Sequence, residues 1–127
     1  MKKQKLLLVD DDAFLRDMYA IKFSEAKFDV HVAESAHQAL TTINQSPDFT
    51  VILLDMVMPG MTGTELIEEI KTSFPDMKAE CIVLSNQGEE SDINKAKSVG
   101  AAGYIIKAEA IPSDVVKQVS KIIGLKK

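Results

Sequence analysis

The sequence predicts an α/β domain: one parallel sheet with helices on both faces. Three observations predict it. Five short runs rich in aliphatic and β-branched residues recur, Lys5–Val9, Val30–Ala33, Thr50–Leu54, Cys81–Leu84 and Tyr104–Ile106. Segments with helical spacing separate them, so strand and helix alternate five times. The length, 127 residues, gives one domain, and about two-thirds of the unfolded surface is buried at this size.

The first strand, like the third and fourth, is almost continuously apolar, as strands covered on both faces should be. The helix after it runs from about Ala13 to Ala26. At about 100° per residue, Leu15, Tyr19, Phe23 and Ala26 form one stripe, and Phe14, Met18 and Ile21 form a second roughly 130° around the helix. Two readings stand: a broad buried face, or one core stripe and one docking stripe for a partner helix. The second helix opens on Ser35-Ala36-His37-Gln38 and the third on Thr62-Gly63-Thr64-Glu65, both of capping-box form. Pro47 and Pro75 lie past their ends, and Gly100 closes the fourth helix. Pro112 suits the first turn of the last helix, although Ile111 before it is a poor cap.

Charged residues make up 27% and hydrophobic ones 46%, which excludes intrinsic disorder. A net charge of −4 argues against direct contact with a nucleic-acid backbone. Runs such as Leu6-Leu7-Leu8-Val9 fall far short of the ~20 apolar residues that span a bilayer, and the start lacks a signal-peptide core. The expectation is a cytoplasmic protein with no membrane contact. The lone cysteine, Cys81, reads as a small buried hydrophobe in a reducing compartment. Lys2, Lys3 and Lys5 at one end and Lys126 and Lys127 at the other read as solvated.

The informative polar residues sit at strand ends. Asp10, Asp11 and Asp12 follow the first strand, Asp55 closes the third, Ser85 the fourth and Lys107 the fifth. In an open α/β sheet these ends share one edge, where ligands bind. Each residue has a plainer reading: Asp12 as a helix cap, Asp55 as a turn cap, Ser85 as a local hydrogen-bonder, Lys107 as a solvated end. Converging carboxylates, however, repel by about 4 kcal/mol per pair at ~4 Å and an effective dielectric near 20. Protonation, a lysine or a divalent ion must offset this. Oxygen donors without His or Cys favour a hard ion such as Mg²⁺. With it, an Asp carboxylate can accept a phosphoryl group while an ammonium and a hydroxyl stabilise the transferring oxygens. His31 and His37 lie away from this edge and are assigned no chemistry.

These residues resemble the receiver domain of two-component response regulators over nearly the whole chain. The resemblance is carried by Leu6-Leu7-Leu8-Val9-Asp10-Asp11-Asp12, by Leu53-Leu54-Asp55-Met56-Val57-Met58-Pro59-Gly60-Met61-Thr62-Gly63, by Ile82-Val83-Leu84-Ser85, and by Ala96-Lys97-Ser98-Val99-Gly100-Ala101 leading to Tyr104-Ile105-Ile106-Lys107. It implies a doubly wound, flavodoxin-like sheet of five strands in the order 2-1-3-4-5. Asp55 becomes the phosphoacceptor, charged from a histidine of a sensor kinase or phosphotransfer protein. Asp10, Asp11, Asp55 and the Val57 backbone carbonyl become Mg²⁺ ligands, Asp10 through water. Ser85 takes the family's hydroxyl place, Lys107 its lysine place, and Tyr104 that of the aromatic that swings inward with the hydroxyl. Kinase helices dock in the family on the first helix, which lends weight to the Phe14, Met18 and Ile21 stripe. The chain would catalyse its own phosphotransfer without being a conventional enzyme.

Four departures stand out. Ala108 follows Lys107 where the family usually has proline after a cis peptide. A cis non-proline bond costs about 3–4 kcal/mol, so this bond is expected to be trans and Lys107 to be aimed differently. Asn86 replaces a small residue and narrows phosphate access. Val57 and Gln87 hold the places that tune water attack, and apolar Val57 implies a long-lived phosphate. Gly100-Ala101-Ala102-Gly103 lacks the acidic pair of the transcription-factor subfamily, which puts that subfamily's dimer mode in doubt. With no effector domain after the fifth helix, residues 1–127 read as a single stand-alone receiver. Its output would be contact of the face around the fourth helix, fifth strand and fifth helix with a downstream protein.

Three other functions stand as alternatives. A phosphorylation-independent interaction module with this fold draws support only from Ala108 and Asn86. A flavodoxin-like electron carrier needs a Ser/Thr/Gly-rich phosphate loop where Asp10-Asp11-Asp12 stands. An aspartyl-dependent phosphatase needs a second Asp at position 57.

Overall fold

A computed structural model describes residues 3–124. Lys2, Lys126 and Lys127 therefore lie outside the described residues. The strands are β1 (Lys5–Val9), β2 (Asp29–Ala33), β3 (Val51–Leu54), β4 (Glu80–Ser85) and β5 (Gly103–Ile106). The helices are α1 (Ala13–Glu25), α2 (Ala36–Gln45), α3 (Gly63–Ser73), α4 (Glu90–Ser98) and α5 (Pro112–Ile122). All strand pairs are parallel, in the order β2-β1-β3-β4-β5. This is the doubly wound, flavodoxin-like sheet expected.

The period-2 pleat divides the central strands between two cores. Leu7, Val9, Ile52, Leu54 and Val83 pack with Ile43, Leu66, Ile67, Ile70 and Ala96 from α2, α3 and α4. Leu6, Leu8, Leu53, Ile82 and Leu84 pack on the other face with Tyr19, Phe23, Val115 and Val119 from α1 and α5. Burial on both faces explains why β1, β3 and β4 read as unbroken apolar runs. Cys81 lies in the first core, and burial pushes its thiol up to about 11.

Element ends differ from the sequence reading by one residue or so, where fraying and pairing decide the boundary. The largest consequence is that β4 runs through Ser85, which pairs in register with Ile106. Lys107 belongs to no strand; it opens a single 3-10 turn, Lys107–Glu109.

The caps follow local chemistry, with one correction. Thr62 and Glu65 form the full reciprocal box at α3. At α2, Ser35 Oγ accepts from the Gln38 amide, but Gln38 Oε1 accepts from Glu34 N at 2.6 Å, so the box is only half formed. Ile111 makes no side-chain cap, as expected. Gly100 turns the chain after α4 at φ +93°, a conformation that glycine adopts without a Cβ clash. On α1, Tyr19 and Phe23 are buried, whereas Phe14 is 76% and Ile21 59% exposed. The broad-buried-face reading is thereby overturned: α5 and the sheet cover the side with Tyr19 and Phe23, Met18 is half-buried against that core, and no described residue covers Phe14 and Ile21. Among the described residues no helix is long and apolar enough to cross a membrane.

Candidate functional site

Parallel strands deliver their carboxyl ends to one edge, and that edge gathers the strand-end polar residues. Asp10 is anchored by its amide to the Ala33 carbonyl at 3.1 Å. Its carbonyl accepts from Arg16 Nη1 at 2.9 Å, and its Oδ1 accepts from the Asp12 amide at 2.9 Å. The residue is 1% exposed. Asp12 caps α1, its Oδ1 accepting from the Leu15 amide at 3.1 Å. Asp55 follows β3, with its amide on the Val9 carbonyl at 3.2 Å and its Oδ1 accepting from the Val57 amide at 3.2 Å.

Gly63, the first residue of α3, packs directly behind Asp55. A Cβ there would lie 2.5 Å from the Asp55 carbonyl oxygen and 3.0 Å from Met56 Cα. The Gly63 amide donates to the Met56 carbonyl at 2.8 Å. Sequence spacing flagged this glycine only as part of a motif; close approach of two backbones explains it.

One carboxylate oxygen from each of Asp10, Asp11 and Asp55 lies within 4.8 Å of the others. Lys107 Nζ bridges two of them, 2.8 Å from Asp10 Oδ2 and 3.0 Å from Asp55 Oδ2. No cis peptide occurs among the described residues, so the Lys107–Ala108 bond is trans, as expected. The expectation that Lys107 would be aimed elsewhere is corrected: the long side chain reaches the acids from the 3-10 turn. Burial pulls the ammonium's pKa down, but the hydrogen bonds it donates to Asp10 and Asp55 and their charges outweigh it and leave the pKa raised.

Ser85 is 1% exposed and its Oγ accepts from the Gln87 amide at 3.2 Å. The Tyr104 hydroxyl donates to the Gln87 carbonyl. Burial, helped by the charges of Asp92 and Asp55, pushes that phenol up to about 12. One loop residue thus links Ser85 to Tyr104, a tie that strand-end spacing could not show. Asp10, Asp11, Asp55, Val57, Ser85, Asn86, Gln87 and Lys107 line one open cavity of about 280 Å³. His31 and His37 are not among its walls.

A second cleft, about 610 Å³, runs between α1 and the turn after β5 and shares Leu15, Asn86 and Lys107 with the first. Met18 lines it, and Ile111, which the sequence reading missed as a surface residue, lines it while 63% exposed. Phe14 and Ile21 are exposed on the same helix.

A family model described as the response regulator receiver domain matches residues 6–119. The phosphate regulon transcriptional regulatory protein PhoB of Pseudomonas aeruginosa is 32% identical over 124 residues, 97% of this chain and 53% of that protein. The chain thus spans about half of that relative. The two-component response regulator ORR11 of Oryza sativa subsp. indica is 29% identical over 118 residues, 93% of this chain and 80% of that protein. Among solved structures, Vibrio cholerae chemotaxis protein CheY4 superposes with a TM-score of 0.87 at 26% identity, covering 95% of this chain and 99% of that one. A response regulator from Chloroflexus aurantiacus gives 0.86 at 26%, covering 96% and 98%.

Proposed function

The chain belongs to the response regulator receiver domain family, and from that premise we propose that it is a phosphorylation-dependent switch whose acceptor is Asp55. The observation that carries the reading is Lys107 bridging Asp10 and Asp55 beside buried Ser85 in one cavity. The donor is a phosphohistidine of a sensor kinase or phosphotransfer protein.

Asp10, Asp11 and Asp55 offer an all-oxygen donor set that fits Mg²⁺, with the Val57 carbonyl as a further ligand. Bound there, the ion would neutralise charge on the carboxylates and on the transferring oxygens. An Asp55 carboxylate oxygen attacks phosphorus; the P–N bond breaks as the P–O bond forms, and the imidazole nitrogen keeps the electron pair and takes a proton. Lys107 turns from the carboxylates to the phosphoryl oxygens, and the Ser85 hydroxyl donates to them. Because Gln87 contacts both Ser85 and Tyr104, drawing Ser85 inward disturbs the Tyr104 bond and carries the signal toward α4, β5 and α5, where a downstream protein docks. The exposed Phe14 and Ile21 with half-buried Met18 supply the apolar face for the kinase helices.

Intact mass after incubation with Mg²⁺ and a small acyl-phosphate donor tests this. One added phosphate is expected on the wild type and none on Asp55→Asn. On that phosphoprotein, amide shifts should extend to Tyr104 and α4; shifts confined to the cavity would remove the output route. No phosphate on the wild type from either the small donor or a histidine kinase would favour an interaction module instead.

Val57 is 57% exposed and offers no polar group to hold an attacking water. Val57→Asn is therefore expected to hydrolyse the acyl phosphate faster by about an order of magnitude. Equal lifetimes for the two proteins would show that another residue limits water attack.

A further inference from the structure

We propose that Arg16 is a positioning residue for the acidic cluster, holding Asp11 in place through the Asp10 carbonyl. The inference rests on the Mg²⁺-dependent reading above and adds a residue that the strand-end pattern did not include.

Asp11 is the exposed member of the three carboxylates, and no hydrogen bond from the described residues reaches its side chain. Its direction is therefore set by its backbone, between Asp10 and Asp12. Arg16, the only arginine in the sequence, grips both flanks. Its amide donates to the Asp12 carbonyl at 2.8 Å, the first helical bond of α1. Its guanidinium folds back and donates to the Asp10 carbonyl at 2.9 Å. The Asp12 amide closes the loop on Asp10 Oδ1 at 2.9 Å. The half-buried arginine thus ties the start of α1 to the end of β1 across the residue whose carboxylate must point into the cavity. A planar guanidinium on a long stem suits this reach, and it stays charged at any working pH.

Positioning and simple charge predict opposite signs. Removing a cation beside a cation site strengthens metal binding by Coulomb's law. Removing a group that orients the ligands weakens it, about tenfold for outer partners of metal ligands.

The test is calorimetric titration of the full chain with Mg²⁺. Arg16→Met is expected to bind about tenfold more weakly, and Arg16→Lys to recover part of the loss. Unchanged or tighter binding by Arg16→Met would overturn the proposal. Metal-free amide exchange provides a second reading. The Asp12 amide should exchange several-fold faster in Arg16→Met while the Leu7 and Leu8 amides keep their protection, which separates local release from global destabilisation. Unchanged exchange at Asp12 would also overturn the proposal. A wild type that fails to bind Mg²⁺ counts against the switch reading alone, because the exchange readout needs no metal.

Discussion

Without Mg²⁺, Lys107→Met is expected to lose about 3 kcal/mol of stability near neutral pH, seen as a melting temperature roughly 10 °C lower. The Lys107 side chain is 7% exposed, and its two acceptors, Asp10 and Asp55, are 2% and 12% exposed. Methionine matches much of the volume, so the loss comes from leaving two nearly buried carboxylates without their shared cation. Added Mg²⁺ should stabilise the variant more than the wild type, since the ion replaces the missing charge. The pH dependence has a definite sign. The folded-state pKa of Lys107 lies above its ordinary 10.5, so its contribution is complete below that value and is lost as pH rises through the folded-state value. The stability gap between the two proteins should therefore narrow in strong alkali. Urea unfolding across pH, with and without Mg²⁺, checks each part. Equal melting temperatures with no differential response to the ion would mean that the bridge holds nothing together.

Gly63→Ala tests how tightly the acceptor is held. Two effects compete at this position. Alanine is the better helix former, by up to about 1 kcal/mol in a helix interior and less at a first turn. Against this, the new Cβ would sit 2.5 Å from the Asp55 carbonyl oxygen and 3.0 Å from Met56 Cα, backbone atoms that have no rotamer to escape into. Overpacking of that kind costs about 1–3 kcal/mol, so the clash wins and a net loss of about 1–2 kcal/mol is expected. The larger effect is chemical. Relief of the clash moves the peptide that carries the acceptor, and a shift approaching 1 Å at a reacting centre can cost about a hundredfold in rate. Phosphorylation of Gly63→Ala by a small acyl-phosphate donor should accordingly slow far more than its stability loss alone would cause. Gly60→Ala is the control. It is strained at φ +82° but meets nothing within 4 Å, so it should lose stability while phosphorylating at close to the wild-type rate. Similar rates for all three proteins would show that the site tolerates displacement of the Asp55 backbone.

The sequence by itself determined the alternation of strands and helices, because buried strands demand unbroken apolar runs and helices a 3.6-residue period. It also determined that Asp10, Asp11, Asp55 and Ser85 gather, since parallel topology sends every strand's carboxyl end to one edge. Asp12 was legible as a cap because capping is local chemistry. What remained hidden depends on distances between elements that are remote in the chain. Whether Phe14 and Ile21 are core or surface is decided by what packs on α1, and no periodicity within α1 contains that. The reach of Lys107 was misread because a rule about one peptide bond says nothing of where a flexible side chain on the neighbouring turn ends. Gly63 behind Asp55, Gln87 between Ser85 and Tyr104, and Arg16 on the Asp10 carbonyl are likewise matters of approach within about 3 Å. Tertiary structure alone decides these, because hydrogen-bond and van der Waals contacts depend on tenths of an ångström, whereas sequence pattern specifies only which face and which end a residue occupies.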